Sequence, residues 1–589
     1  MASRIDFSTP LDPAAPRLRH AFGTPREVWV ARSPDEVRGV LEAVQAAAAR
    51  GDWCVGYLRY EAAAAFDAAL ITHAPEGPLA WFAVHGAPQP GTEAAGAAQD
   101  LARVGNWTGL ERGAFDAAFA RIQQAIRDGE LYQVNFTAPL RGRFEGSPAA
   151  LFDALRRAQP GGYAAHIEAE GEQVLSVSPE LFFDWRSAGA QGGTILARPM
   201  KGTAPRGATP EADAAHAEHL RTAPKERAEN VMIVDLLRND LSRIAEPHSV
   251  RVPTLFHTQA LPTVWQMTSD VTARTRPGLG LWDVFAALFP CGSVTGAPKV
   301  QAMRTIRSLE AAPRGIYCGA IGVVRPDGPP GAGGIAATFN VPIRTVVLRG
   351  ADATCGIGSG ITSDAQAAAE WREWRHKRAF VERASQPFEL LETLALEAGR
   401  FRHRADHLAR MAASAAHFGF CWDAARVQNC LDALARQHPE GLWRTRLLLD
   451  AAGAPRAEAF ACAAVPTPVR LRLADRAFEA AHGEFVRHKT TRRAHYAAFA
   501  PTQPGVFDTV LWNEAGEITE GTFGNIAALL DGRWVTPPLA SGLLPGVGRA
   551  VALREGRIGE AVLRVEDLPR VQGWAFLNSL RGWLPATLD

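Results

Sequence analysis

Lysine is scarce in this 589-residue chain: of 63 lysine and arginine residues only five are lysine, at positions 201, 225, 299, 377 and 489. Arginine carries surface charge equally well, but only a lysine amine can lose its proton and act as a nucleophile or form an imine. Two of the five stand in reactive company. Lys201 lies in ARPMKGTAPRG, ahead of the turn-forming Gly202. Lys489 lies in FVRHKTTRRAHY and precedes Glu520 of NEAGEITEGTFGNIA by 31 residues. An imine-forming lysine and a carboxylate that keeps a pyridine nitrogen protonated are what a pyridoxal phosphate enzyme needs, although such a pair alone is more often structural. Two further pairs of carboxylates, Glu226 with Glu229 and Glu370 with Glu373, recur three residues apart on helical sequence, with Lys377 one turn beyond the second. Brought together they offer four hard oxygen ligands suited to Mg2+, whereas each pair alone reads first as a solvated salt-bridging face.

The elements that must hold these groups can be read in outline. PKERAENVMIVDLLRNDL is a helix opened by proline, and SDAQAAAEWREWRHK begins a second. Between them CGIGSGITSD, with Gly358 and Gly360, reads as a glycine-rich turn that brings backbone N–H groups near an anion. A first segment, 1–100, mixes short strands with the helical DEVRGVLEAVQAAAARG and ends in the Gly/Pro/Ala loop HGAPQPGTEAAGAAQD. Residues 101–384 alternate helix and strand signals as one large α+β unit, and Gln386-Pro387 breaks the chain before a second unit, 385–589. An apolar content of 47% and a net charge of +1 are ordinary for a globular chain and give no basis for nucleic acid or a membrane as the main partner. The seven cysteines are scattered, which argues against a disulfide framework or zinc knuckle and for a reducing cytoplasm. No export signal or membrane span is expected.

GELYQVNFT, SPELFF, RPMKGTAPRG, KERAENVMIVDLLRNDL, FPCGSVTGAPK, YCGAIG, FNVPIRT and GIGSGITSDAQAAAEWREW, in this order, resemble the chorismate-utilising enzymes, whose fold is antiparallel sheets flanked by helices. The resemblance implies that Glu229 and Glu373 organise Mg2+ around the ring carboxylate of chorismate, with Glu226 and Glu370 reaching it directly or through water. It implies Glu180 as general acid or base, Arg344 and Tyr317 as carboxylate contacts, and Gln133, Gly358, Gly360 and Lys377 in the substrate site. Water-adding members carry lysine at the place of Gln133, so ammonia is the implied nucleophile. Anthranilate synthases usually have alanine at the place of Lys201 and aminodeoxychorismate synthases lysine. A neutral Lys201 could then attack ring C2 while Glu180 protonates the departing C4 hydroxyl, before ammonia enters at C4 and displaces the lysine. That chemistry asks burial and nearby cations to lower its pKa. Gln266 stands where many relatives have histidine, which removes an acid or base. No glutaminase segment is evident, so ammonia would come from solution or from a separate glutamine amidotransferase subunit.

FELLETLAL, HLARMAASAAHFGF, HKTTRRAHY, EITEGTFGNI, TPPLASGLLPGVGR and FLNSLRGW resemble fold-type IV pyridoxal phosphate enzymes, a two-subdomain α/β class that includes branched-chain aminotransferases and aminodeoxychorismate lyase. The resemblance implies Lys489 as Schiff-base lysine and Glu520 as partner of the pyridine nitrogen. Arg410, Ser579 and the backbone of Val547 and Gly548 would hold phosphate. Many relatives carry threonine at Gly548 and serine at Gly524. Fusion to the first unit favours a lyase acting on that unit's product, giving 4-aminobenzoate. The rivals are an amino-acid aminotransferase unit, an anthranilate synthase component and a chorismate-binding scaffold. Fold-type IV relatives often form homodimers.

Overall fold

The computed structural model describes residues 3–90, 101–187, 192–207, 210–260, 264–328 and 333–589. The chain divides into two compact units, Met1–Pro387 and Phe388–Asp589. No helix among the described residues is long and apolar enough to cross a membrane.

The first unit is built on two ten-stranded sheets. The long strand Gln133–Gly146, begun by YQVNFT, is the axis of one: it pairs antiparallel with Asp352–Thr362 over eleven residues, from Gln133↔Thr362 to Arg143↔Asp352. The second sheet carries Leu181–Ser187, Ile335–Asn340, Val264–Thr275 and the short strand Met200–Pro205 that bears Lys201. The first hundred residues do not form a subdomain of their own. Ser3–Phe7 pairs with Tyr163–Ala169 in one sheet and Trp53–Leu58 pairs with Ala320–Pro326 in the other. The physical reason is burial: Cys54, Val55, Tyr57 and Leu58 are wholly buried, and this strand, apolar on both faces, takes Ala80–His85 as neighbour on one side and Ala320–Pro326 of the later chain on the other. The expected loop at 85–100 lies outside the described residues from position 91 onward.

Five phenylalanines lock the frame around the future site. Phe183, Phe285 and Phe339 meet with ring centroids 5.0 to 5.2 Å apart, and Phe182 and Phe289 close the cluster. Phe182 and Phe183 follow Glu180 in SPELFF, and Phe289 opens FPCGSVTGAPK, so the cluster anchors two motif segments at once.

In the second unit a four-stranded antiparallel sheet, centred on Leu390–Glu397 and Leu442–Leu449, is covered by the helices Arg404–Phe418 and Ala424–Gln437. An eight-stranded mixed sheet follows, in which Val469–Leu473 pairs parallel with both Asp508–Trp512 and Gly582–Leu588. These are the two parts of the expected α/β unit.

Phe285 is fully buried at the centre of the aromatic cluster. Phe285→Ala should cost about 3–5 kcal/mol, the usual penalty for emptying a packed aromatic site, read as a lowered midpoint of the first unit's transition in urea.

Candidate active sites

The helices Pro224–Ser242 and Ala367–Ala384 bring the two carboxylate pairs to one place, with Lys201 among them. Lys201 reaches it through an irregularity: the pairing of its strand with Val264–Thr275 slips between Met200 and Thr203, and Gly202 takes a φ of 92°. A side chain at Gly202 would be strained in that conformation and would start 2.8 Å from Glu226 Oε2. Gln266 holds the slip, its amide donating to the Gly202 carbonyl at 2.8 Å and its oxygen accepting from Thr203 Oγ1 at 3.2 Å. Its role here is to shape the backbone beside the amine, which sequence reasoning does not foresee.

Lys201 Nζ donates to Glu229 Oε2 at 3.3 Å. Burial works against its charge, but the carboxylates of Glu229, Glu373 and Glu370 outweigh burial and raise its pKa. This overturns the expectation of a lowered value: the neighbours are anions, not cations. Lys377 pairs with Glu373 at 2.7 Å and donates to the Gly358 carbonyl at 3.0 Å. Burial pushes the Glu373 carboxyl up, yet the lysines bring it below the usual carboxylate range. Glu370 accepts from Ser359 at 2.5 Å. Burial raises Glu226 and Glu370, and their neighbours Glu229 and Glu373 add to it.

Among the described residues no three His, Cys, Asp or Glu side chains stand close enough to hold a metal ion together. Two of the four carboxylates are instead engaged by ammonium groups and one by a hydroxyl. The donor chemistry is nevertheless that of a Mg2+ site, since all four groups are hard oxygens on two adjacent helical faces.

Of the remaining predicted residues, Gly360 and Gln133 adjoin Lys201, and Glu180 is near enough to feel its charge. Glycines of the CGIGSGITSD segment lie in the strand Asp352–Thr362, not in a turn. A Cβ at Gly360 would fall 2.7 Å from Lys201 Nζ and 2.8 Å from Gln133 Nε2, so the missing side chain is what lets these groups meet. Gln133 is fully buried and both polar atoms of its amide lack a hydrogen-bond partner. Glu180, 3% exposed, accepts from Ser293 Oγ at 2.6 Å, and burial pushes it up to about 7. Ser293, in FPCGSVTGAPK, is thus a contact of the acid that the motif alone does not single out. Arg344 has no ion-pair partner among the described residues, and burial alone draws it down to about 10. Such a guanidinium is short of an anion. Tyr317 lays its ring on Gly356, where a Cβ would lie 2.3 Å from the ring. A cavity of about 330 Å3 opens beyond Tyr317, lined also by Phe136, Thr137, Arg314 and Val347. Lys201 and the carboxylate pairs, where the reactive groups converge, are not among its lining residues.

In the second unit Lys489 and Glu520 come together. Burial lowers the Lys489 amine to about 7, helped by the charges of Arg493 and Arg410. Glu520 is held from three directions: Tyr496 donates to Oε1 at 2.7 Å, and the Leu544 N–H and Asn525 amide donate to Oε2 at 3.1 and 3.4 Å. Burial outweighs these bonds and raises it to about 7. Arg410 points two nitrogens at Glu392, at 2.8 and 2.6 Å, and a third at the Pro545 carbonyl at 2.9 Å. Glu392 also bonds His407 at 2.6 Å, and although burial opposes it, Arg410 and His407 hold its carboxyl down to about 2. Sequence reasoning passes over Glu392 within FELLETLAL because nothing local shows that a strand glutamate will face a helix arginine.

The helix Val547–Arg554 starts beside these groups. A Cβ at Gly548 would lie 2.7 Å from the Asn578 carbonyl carbon and 2.9 Å from Ser579 N, which excludes the threonine common elsewhere unless the backbone shifts. Ser579 itself reaches only the Thr393 carbonyl, at 3.5 Å. At Gly524 the ring of Phe576 fills the place a serine would take, 2.2 Å from the Cβ position. A buried amine drawn down to about 7, a helix start approached closely by backbone, and an arginine with unused N–H groups fit a phosphorylated pyridine aldehyde.

Residues 93–383 match the family of chorismate binding enzymes, and residues 389–588 match amino-transferase class IV. Aminodeoxychorismate synthase component 1 of Klebsiella aerogenes is 39% identical over 300 residues, 51% of this chain and 62% of that protein. Anthranilate synthase component 1 of Streptomyces coelicolor is 36% identical over 273 residues, 46% of this chain and 51% of that one. The chain therefore spans less than two thirds of either relative. The crystal structure of anthranilate synthase component I from Streptococcus pneumoniae aligns with a TM-score of 0.52 at 22% identity, covering 65% of this chain and 92% of that one, a likeness of fold.

Acylation of Lys489 by a dilute amine-selective reagent, followed by peptide mass spectrometry, should rise with pH and reach half its limiting rate near pH 7, because the neutral amine is the reactive form. A midpoint near the ordinary lysine value would contradict the burial described.

Proposed function

Because the chain belongs to the chorismate binding enzymes through residues 93–383 and to the class IV amino-transferases through residues 389–588, we propose that it makes 4-aminobenzoate from chorismate and ammonia in two steps. The first unit replaces the C4 hydroxyl of chorismate by an amino group. The second removes pyruvate from the product. The observation that carries the reading is Lys201, an amine set among the carboxylates of both helices, which the missing side chain at Gly360 lets approach Gln133.

Lys201 Nζ attacks ring C2 as Glu180, buried and protonated below about pH 7, gives its proton to the departing C4 oxygen. Ammonia then bonds to C4 and the Lys201 nitrogen leaves C2, so the lysine is returned. Attack requires the neutral amine, which the carboxylates now oppose. Mg2+ on Glu226, Glu229, Glu370 and Glu373 would neutralise them and anchor the ring carboxylate. Arg344 and Tyr317 bind the second carboxylate, and Gln133 faces the incoming ammonia, which a glutamine amidotransferase subunit supplies. The component 1 relative points to such a partner by its name.

A class IV amino-transferase domain implies pyridoxal phosphate, which would supply an electron sink at the carbon bearing the substrate amine. Lys489, its amine drawn by burial to about 7, would hold the cofactor, and its neutral form would take the proton from C4, the ring carbon that bears the substrate amine, as the enolpyruvyl oxygen leaves the adjacent C3. Glu520 would stand at the pyridine nitrogen and keep it protonated. Arg410, Ser579 and the N–H groups at Val547 and Gly548 would take the phosphate.

Purified protein given chorismate, Mg2+, pyridoxal phosphate and ammonium should yield 4-aminobenzoate on chromatography. Lys201→Ala should stop conversion, and Lys489→Ala should accumulate aminodeoxychorismate. Anthranilate as product would refute the role of Lys201, and amino-acid exchange without pyruvate release would refute the lyase step. For the first reaction kcat/KM should fall as pH rises through about 7, where Glu180 loses its proton. In Glu180→Gln that limb should vanish along with about 100-fold or more of the rate; an unchanged profile would assign the acid elsewhere.

A further inference from the structure

Arg493 is a cation of the second site that none of the roles above employs. It follows Lys489 by four residues in HKTTRRAHY. Its guanidinium lies over the Tyr496 ring, 4.5 Å from the centroid, and its Nη2 donates to the Thr522 carbonyl at 2.5 Å. Tyr496 in turn donates to Glu520 at 2.7 Å, so Arg493 is fixed two contacts away from the carboxylate that accompanies Lys489. Its charge bears on Lys489 more strongly than that of Arg410 and reaches Glu520 as well.

The two arginines differ in one respect. Arg410 is matched by the bidentate carboxylate of Glu392, whereas no carboxylate among the described residues pairs with Arg493. A guanidinium fixed by one carbonyl on an edge and one ring on a face keeps further N–H groups in a planar fork, the geometry that receives a carboxylate. Phosphate already has Arg410 and the helix start at Val547. We propose that Arg493 binds the carboxylate of the amine substrate in the second unit, an inference that rests on the pyridoxal phosphate reading of that site.

Arg493 is then a substrate-orienting residue. Held on Tyr496, which holds Glu520, a carboxylate on Arg493 is indexed to the group that faces the pyridine nitrogen, and the substrate amine is thereby presented to Lys489. It also gives the site a preference for amines that carry a carboxylate over simple amines of the same size.

The test uses the full chain loaded with pyridoxal phosphate and aminodeoxychorismate as substrate. Arg493→Met should raise KM by about tenfold or more while kcat changes by less than about threefold, as expected for loss of a charged hydrogen bond made equally in ground and transition states. Arg493→Lys should recover part of the KM. The affinity of stripped protein for pyridoxal phosphate, measured by titration of the cofactor absorbance, should stay within about twofold of wild type. An unchanged KM overturns the proposal, as does weakened cofactor affinity that accounts for the whole loss, which would make Arg493 a ligand of the phosphate. Should wild-type protein turn over an amino acid and not aminodeoxychorismate, the lyase reading fails by itself. The same KM comparison with that amino acid then decides the case of Arg493.

Discussion

Four carboxylates placed on facing helix surfaces repel one another, and withdrawal from water makes each charge harder to hold. In the first unit that repulsion is met by lysine. Lys201 and Lys225 approach Glu229, and Lys377 pairs with Glu373. Lys299 pairs with Asp240 at the far end of the same helix, Pro224–Ser242. All four lysines of this unit therefore serve carboxylates on two helices, and the slipped strand, Gly202 and Gln266 are the means by which Lys201 is delivered to them. An ammonium is compact and can be released from its partner by another cation, which a fork-shaped guanidinium bound in two places resists.

The fifth lysine is the contrasting case. Lys489 is surrounded by arginines and burial, and its amine is drawn down to about 7. Lys201 is surrounded by glutamates, and its amine is held charged. The same buried side chain is thus shifted in opposite directions: burial, with the arginines, lowers Lys489, and carboxylates overcome burial to raise Lys201. Under the function proposed, each direction suits its step. An amine that must meet an aldehyde is best neutral from the start, whereas one that shares its place with a divalent cation is best activated only when that cation and the substrate are both present.

The reactive residues are legible because they sit in short motifs whose chemistry is local: a proline before a helix, glutamates three residues apart, a lysine before a glycine. The groups that aim them are not. Glu392 finds Arg410 across 18 positions, Ser293 finds Glu180 across 113, and Arg493 finds Thr522 across 29. No periodicity joins such pairs; they exist only once sheets are assembled. The same limit explains the first hundred residues. Their strands and the helix Pro34–Arg50 are plain in the sequence, but Ser3–Phe7 pairs with Tyr163–Ala169 and Trp53–Leu58 with Ala320–Pro326, so contiguity suggests a subdomain where pairing makes none.

Glycine shows how a sequence feature can be noticed and still point to the wrong structure. GIGSGIT reads as a turn offering N–H groups, yet it is a strand with period two. Ile357 and Ile361 face the apolar core, while Gly356, Gly358 and Gly360 face the site. On that face a Cβ would meet Tyr317 at 2.3 Å, the Phe136 carbonyl at 2.4 Å and Lys201 at 2.7 Å in turn. Three alternate side chains are missing from one face, and the space they would fill is taken by the Tyr317 ring, by the neighbouring strand and by Lys201 with Gln133. The Gly358 carbonyl faces away from the strand Gln133–Gly146 and accepts Lys377, which places its N–H on the same open side. The backbone polar groups expected of a turn are thus presented by a strand, whose position a sheet of ten strands fixes. The missing side chains are what let Tyr317, Lys201 and Gln133 close on this strand, so the glycine at 360 sets how nearly Lys201 can approach it.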